Sequence, residues 1–422
     1  MVKVSVLTGI STVIRMLTGF VSSKVVAVAI GPAGIALHGL LNNFALVIQS
    51  LASGGINNGI TKHIAQYSDS ERKYRLYLST GFRITAGISL LCGLVLIFGA
   101  GYFSVRILKD IQYRAVFYIF GATIILYALN AFLLSVVNGF REFRKYVTIN
   151  IVSSIAGLVF AVVLTKVFLI FGTLIALVTY QSVVFVITLT MVMRSSWFKW
   201  SLFFGKFSKT AARSLAKYSA MAIVSAVAVP FSRMIILNIV IANGESMSSG
   251  LDEGGLWNGL NNISNMYLMV VTTSLSVYYL PKLSGLKKDS EIRQEVGNVY
   301  KLLIPFLLIA STLIYLFRHL IIVILYDNKF AGMEDLFAFQ LAGDLLKMAT
   351  WVLGYIQVAK GMAKTYIIVE IGSCSLFILF SWLLVHAYGT VGATMAYAAA
   401  FLCQFLIMVL VFRKLLFGKN GN

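Results

Sequence analysis

Long apolar stretches alternate with short polar ones along the whole chain. The apolar runs fall at roughly 6–30, 37–61, 82–105, 115–139, 147–169, 171–193, 217–241, 256–280, 302–326, 335–359, 365–387 and 390–412. A hydrocarbon core about 30 Å thick takes about 20 residues to cross at the helical rise of 1.5 Å. Each run therefore predicts one spanning helix, since in lipid a single crossing segment satisfies its backbone hydrogen bonds only as a helix. The expectation is an all-α integral membrane protein of twelve helices, in two six-helix lobes around a central cavity. The longest connections, 62–81, 194–216 and 281–301, are polar and basic, and none is long enough to form a further domain. The predicted organisation is an N-terminal lobe at 1–193, a cytoplasmic inter-lobe linker at 194–216 and a C-terminal lobe at 217–422.

Composition agrees with this reading. The 422 residues are 59% apolar and 12% charged, where soluble domains run near 45–50% and 25%. A net charge of +20 would ordinarily suggest nucleic acid, but the positions of the charges explain it better. With the N-terminus inside, 25 of the 35 Lys and Arg fall in alternate segments on the cytoplasmic side, five on the other side and five inside helices. That bias follows the positive-inside rule, predicts both termini in the cytoplasm, and removes the need for a nucleic-acid partner. The first apolar run is too long for a cleavable signal's core. Cys92, Cys374 and Cys403 lie in apolar runs without ligand spacing, so no disulfide framework, metal or cofactor is expected.

A weak internal repeat supports two lobes. At an offset of 220, residues 38–71 match 258–291 without gaps at Gly39/Gly259, Leu40/Leu260, Asn42/Asn262, Lys62/Lys282, Asp69/Asp289, Ser70/Ser290 and Glu71/Glu291. The second predicted helix then superposes on the eighth, as in a duplicated transporter.

Polar residues recur on single helix faces at spacings of three and four. Ser11, Arg15, Thr18 and Ser22 form one such stripe; Asn42, Gln49, Ser53 and Asn57 form another. Further stripes carry Tyr127, Asn130 and Asn138; Asn258, Asn262, Asn265, Thr272 and Ser276; Gln340, Asp344, Lys347 and Trp351; and Tyr366, Glu370, Ser373 and Ser381. Ser and Thr alone are compatible with helix–helix adhesion. The Asn, Gln and charged stripes fit a hydrated cavity instead. Arg15, Arg233 and Arg318 lie within predicted spans with no partner evident in the sequence, which suits an anionic ligand or a wet cavity. Asp344 and Lys347, three residues apart, are able to pair. Asp344 and Glu370 are the acidic side chains predicted inside the membrane, hence candidates for coupling to a proton or sodium gradient. The chain has no Gly-rich phosphate loop, no Walker sequence, no His-Glu-x-x-His and no Gly-x-Ser-x-Gly. A membrane glycosyltransferase or polysaccharide polymerase would want acidic residues or a large loop outside the membrane, and the outer segments are short. The longest, 242–255, carries only Glu245, Asp252 and Glu253.

Several stretches resemble the O-antigen flippase (Wzx) family. They are Gly31-Pro32-Ala33-Gly34, Ser53 through Lys62, Val137-Asn138-Gly139-Phe140-Arg141, Ser276-Val277-Tyr278-Tyr279-Leu280-Pro281, and Asn328-Lys329-Phe330 through Gln340-Leu341-Ala342-Gly343-Asp344. The similarity runs over nearly the whole chain, is closest to the lipid-III type, and implies the multidrug/oligosaccharidyl-lipid/polysaccharide exporter superfamily. It implies a non-enzymatic transporter of the bacterial inner membrane, working in lipopolysaccharide biosynthesis. Such a protein moves undecaprenyl-pyrophosphate-linked glycan to the periplasmic leaflet by alternating access, with the polysaccharide polymerase machinery as a potential partner. In that setting Arg15, Arg233, Arg318 and Lys347 would meet the pyrophosphate, since guanidinium forks suit oxyanions. Asn42, Asn57, Asn130, Asn138, Asn258, Asn262, Asn265 and Gln340 would line the sugar cavity, and Trp351 or Tyr127 would stack on sugar faces. A multidrug or organic-cation antiporter of the same fold is the main alternative, although it would want an acidic cavity.

Overall fold

The computed structural model describes residues 2–417. Met1, residues 418–422 (with Lys419), and the side chains of 2–8, 10, 217–222 and 277, among them Lys3, Lys217 and Val277, lie outside the described residues. The described chain is helical with no strand. The helices are α1 (Val2–Ala52), α2 (Asn57–Tyr67), α3 (Glu71–Phe98), α4 (Ala100–Leu108), α5 (Arg114–Gly139), α6 (Phe143–Met193) and α7 (Lys209–Ala242). They continue as α8 (Met247–Ser274), α9 (Leu280–Gly285), α10 (Asp289–Leu316), α11 (Arg318–Leu325), α12 (Phe337–Ala359), α13 (Ala363–Val411) and α14 (Arg413–Phe417).

Among the described residues, eight segments are long and apolar enough to cross a membrane by length and composition. Three of them, at Ser11–Ala52, Phe143–Met193 and Ala363–Val411, have 42, 51 and 49 residues, about twice what one crossing needs. Each contains one residue off the helical path: Gly31, Leu169 and Gly389. Their outward faces are greasy, with Leu90, Leu91, Leu94, Val95 and Phe98 exposed along α3, a surface suited to lipid rather than water. The chain is a multi-pass membrane protein.

The helices overrun the predicted boundaries because hydropathy marks the part within lipid, whereas polar flanks also form helix. The expected loop 62–81 is mostly α2 and α3, and the expected outer loop 242–255 is helical from Met247. The run 37–61 breaks at residues 53–56, and 302–326 breaks at Phe317.

Two compact units form. One holds residues 1–30 and 37–231; the other holds 31–36 and 232–422. The expected lobes were 1–193 and 217–422, joined by 194–216. The boundary falls inside α7, beside Pro230, and the expected linker 194–216 is packed into the first unit. Leu202, Phe203 and Leu215 are buried in a core with Ile60, Leu78 and Phe132, and Lys199 pairs with Glu71 at 2.9 Å. In the second unit Asn258 Nδ2 donates to Ile35 O at 3.1 Å, tying in the segment 31–36.

The repeat seen weakly in the sequence is strong in the backbone at the same offset of 220. Helix α5 ends at 139 and α12 at 359; α6 begins at 143 and α13 at 363. The turns between them match bond for bond: Phe140, Arg141, Glu142, Phe143 and Tyr146 donate to the same relative carbonyls as Lys360, Gly361, Met362, Ala363 and Tyr366. Arg141 and Gly361 share φ of 58° and 65°, and Glu142 and Met362 have φ, ψ of −77°, 59° and −78°, 58°. The breaks inside α6 and α13 also correspond, with Leu169 at 50°, −128° and Gly389 at 60°, −147°. After each break a glycine lies against the preceding helix end. A Cβ on Gly172 would fall 1.9 Å from Leu164 O, and one on Gly392 2.0 Å from Leu384 O.

A positive φ with ψ near ±150° is glycine territory and costs another residue about 1–3 kcal/mol. Gly389→Leu should therefore destabilise the protein by about that amount, and Leu169→Gly should stabilise it. Thermal unfolding of the purified variants measures both. Shifts of the same sign at the two positions would contradict the shared break geometry.

Candidate functional site

Each unit carries its own polar, charge-bearing region. In the first unit the stripe Ser11, Arg15, Thr18 and Ser22 lines one cavity of about 360 Å³. Asn150, Ser153 and Ser154 from the first half of α6, and Tyr180 and Gln181 from its second half, complete the polar lining with His38. The hydroxyls are mostly bonded to their own helices, as in Thr18 to Ile14 O at 2.9 Å and Ser153 to Ile149 O at 2.7 Å. Gln181 donates to Tyr180 Oη at 2.8 Å. No carboxylate lines the cavity, and among the described residues Arg15 makes no ion pair. The cavity therefore presents a guanidinium and many hydroxyls to whatever enters it.

In the second unit the tenth predicted span, α12, supplies most of the chemistry. Asp344 is fully buried; its two oxygens accept hydrogen bonds from Tyr267 Oη at 2.7 Å and Tyr397 Oη at 2.8 Å. Lys347 does not form the expected ion pair with it. Asp344 turns to the tyrosines of α8 and α13, and Lys347 turns to the rings of Trp351, Tyr397 and Phe401, at 5.6, 5.9 and 6.0 Å. Although Lys347 is only 8% exposed, no acceptor lies within hydrogen-bond reach of it among the described residues. Arg233 is near enough to act electrostatically on Lys347, Tyr397 and Cys374. One turn before Asp344, Gln340 Nε2 donates to Ser264 Oγ at 3.2 Å while its Oε1 has no partner. Trp351 and Glu370 share a second cavity of about 210 Å³ with Tyr355, Tyr366 and Gln404.

Other predicted residues lie elsewhere. Arg318 is not partnerless: Glu334 lies 3.8 Å from its Nε, its Nη1 donates to Tyr315 O at 2.8 Å, and it stacks on the Tyr315 ring. The sequence hid this because Glu334 sits across the break after α11. Asn258 is a structural bond to Ile35, Asn262 reaches Tyr326, and Asn265 is exposed. Asn42, Asn57, Asn130 and Asn138 do not line the Arg15 cavity; Asn130 is buried with its Oδ1 unbonded. Sequence reading missed His38, Tyr180, Gln181, Tyr267 and Tyr397. The Asn150, Ser153, Ser154 face of α6 had the spacing of the other stripes and was findable.

An all-helical, multi-pass fold with a cation facing a polar cavity in one unit and buried charge in the other is that of a membrane transporter. Among solved structures the chain resembles an inward-facing multidrug resistance MATE family transporter of the MOP superfamily, with a TM-score of 0.74 at 13% identity over 96% of this chain and 98% of the other. It also resembles the lipid II flippase MurJ in an inward closed conformation, at 0.72 and 14% identity over 98% and 88%. In sequence it is 31% identical to the lipid III flippases of Escherichia coli (strain K12) and Shigella flexneri, over 97% of each chain. Residues 1–287 match the family described as polysaccharide biosynthesis protein, and the chain belongs to that family.

The bonds on Asp344 give a direct test. Tyr267→Phe and Tyr397→Phe each remove one donor from a buried carboxylate, a loss of about 1–3 kcal/mol. Both variants should melt at lower temperature than the parent protein. An unchanged melting temperature in both would show that the tyrosines do not hold the carboxylate.

Proposed function

We propose that this chain is a flippase that moves a lipid-linked oligosaccharide across the bacterial inner membrane, a transporter and not an enzyme. The observation carrying this reading is the 31% identity to lipid III flippases over nearly the full length of both chains. The chemistry of the two polar regions is consistent with it. A glycan on undecaprenyl pyrophosphate combines oxyanions with many hydroxyls. The Arg15 cavity offers a cation without a competing carboxylate, and Lys347 with Arg233 offers two more cations in the second unit. An organic-cation antiporter is the weaker reading. Asp344, a fully buried carboxylate of the second unit, already accepts from two tyrosines.

The proposal extends to twelve crossings, counting each half of the three long broken helices and adding α8, with both termini cytoplasmic and movement by alternating access from the cytoplasmic to the periplasmic leaflet. The substrate is an O-antigen-type repeat unit on undecaprenyl pyrophosphate, delivered to a polysaccharide polymerase. Coupling runs through protonation or sodium binding at Asp344, with Glu370 as the second acidic candidate. A midplane carboxylate that exchanges an ion between two states couples transport to a gradient.

Flipping of a lipid-linked oligosaccharide in proteoliposomes tests this reading. Arg15→Ala and Arg233→Ala should each lower the rate at least about tenfold, the effect of losing one charge-assisted contact. Lysine at these sites should restore it only in part, and Arg318→Ala, already paired with Glu334, should cost far less. In the same assay Asp344→Asn should lose any response to an imposed proton or sodium gradient. Normal rates in both arginine variants would remove the cationic sites from the mechanism. For topology, single cysteines at 70, 200 and 287 should react with a membrane-impermeant thiol reagent only after the cells are opened. Labelling from outside at any of the three would overturn the orientation.

A further inference from the structure

The duplicated fold exposes an asymmetry. In the first unit the face of α3 bearing Arg75, Ser79 and Phe82 is covered by the segment after α6. Ser79 Oγ donates to Lys206 O at 3.1 Å, Ser208 N donates to Thr80 Oγ1 at 3.1 Å, and Phe203 and Phe204 pack on Phe82 at 5.9 and 5.6 Å. Ser79 and Thr80 are fully buried beneath it. The positions 220 further on are Glu295, Val299 and Leu302 of α10. Glu295 is buried in its pair with Lys282, and Leu302 stands exposed.

A cleft of about 630 Å³ occupies that face, within the range of small-molecule sites. Its body is apolar, formed by Val270, Leu275, Val299, Leu302 and Phe306. Leu302 is 78% exposed and Phe306 51%, whereas Phe82, the counterpart of Leu302, is half-buried. One wall is a π-helical turn, Leu275–Tyr279, a distortion that recurs at functional sites. It is pinned to α12 by Tyr279 Oη donating to Val352 O at 3.2 Å and by a 2.7 Å bond between Ser276 Oγ and Tyr355 Oη.

The polar end is specific. Lys282 Nζ lies 2.6 Å from Glu295 and donates to Tyr278 Oη at 2.9 Å, with Asn298 alongside. Where the first unit has two cations, Lys62 and Arg75, the second has one cation and one anion. The mouth of the cleft is therefore neutral, with both signs adjacent. A pyrophosphate would bring several negative charges against Glu295, and a singly anionic head would find its only cation already neutralised. A head carrying one phosphate and one ammonium matches both groups.

We propose that this cleft is a binding site for a resident bilayer phospholipid with a phosphoethanolamine head, its acyl chain along Val299, Leu302 and Phe306 and its two charges on Lys282 and Glu295. The proposal needs only that the protein sits in a membrane and is independent of what it transports.

The test uses the purified full-length chain in mixed micelles containing equal phosphatidylethanolamine and phosphatidylglycerol, read by native mass spectrometry. One phosphatidylethanolamine should remain bound in preference, and Glu295→Gln should lower that preference about tenfold, as expected for one charge-assisted bond. A diazirine on the acyl chain of the same lipid should label the unaltered protein within 270–279 and 295–306, a readout that does not depend on a variant folding. Equal retention of the two lipids, or labelling spread over all lipid-facing helices, would reduce the cleft to ordinary annular contact. Release of the lipid by added polyprenyl-pyrophosphate glycan would assign the cleft to a transported tail and overturn the proposal.

Discussion

A backbone polar group exposed to hydrocarbon has no water to bond, and leaving one unsatisfied costs several kcal/mol. The chain therefore leaves the helix at few places within each crossing, and two of its departures recur in both units. The turn at 140–143 recurs at 360–363 with the same five backbone bonds, and the break at Leu169 recurs at Gly389. Between these points the sequences have diverged until few identities survive. Break geometry, once satisfied, has no substitute of equal cost, whereas a side chain on a helix face does. At these two places the backbone is thus duplicated more faithfully than the side chains between them.

The constrained scaffold leaves side chains free to differ, and the chemistry lies in the differences. Positions 124 and 127 in α5 are Ile and Tyr; 220 residues on they are Asp344 and Lys347. Ile124 is fully buried in the first unit and Asp344 equally so in the second, so a core position has become a carboxylate held by two tyrosines. The first unit puts its charge instead on the first half of α1, where Arg15 meets a cavity of hydroxyls. One unit keeps a cation in open space and the other keeps both signs nearly out of contact with solvent. These are different electrostatic environments built on one backbone plan.

The sequence was most legible where one physical period governed it. Apolar runs located the helices, and the stripe Ser11, Arg15, Thr18, Ser22 does converge on a single cavity, because neighbours on a helix face need no tertiary knowledge. It was least legible where a polar residue chose among distant partners. Asp344 has Lys347 three residues away, yet bonds to Tyr267 and Tyr397, 77 and 53 residues distant. Glu334 claims Arg318 across a helix break, and Asn258, read as sugar-facing, is spent on the backbone of Ile35. The segment 194–216 looked like a linker for the same reason. Its aromatics are dispersed among five basic residues, and only the folded unit shows that Leu202 and Phe203 are core.

Lys347 shows how such a choice leaves a site poised. Taking an ammonium out of water costs several kcal/mol even after relaxation. Three aromatic rings near 6 Å return about 0.5–2 kcal/mol each. Asp344 adds attraction through space, but both its oxygens are engaged by tyrosines, and Arg233 opposes it with like charge. None of these supplies an acceptor for the three N–H donors. An oxyanion would, and it would also relieve the repulsion between the two cations, so each would bind it more strongly with the other present. The helix that carries Lys347 also carries Asp344 one turn away, and anything that neutralises the lysine changes the field at the carboxylate. An anion bound at Lys347 would therefore act electrostatically on Asp344 through their common helix face.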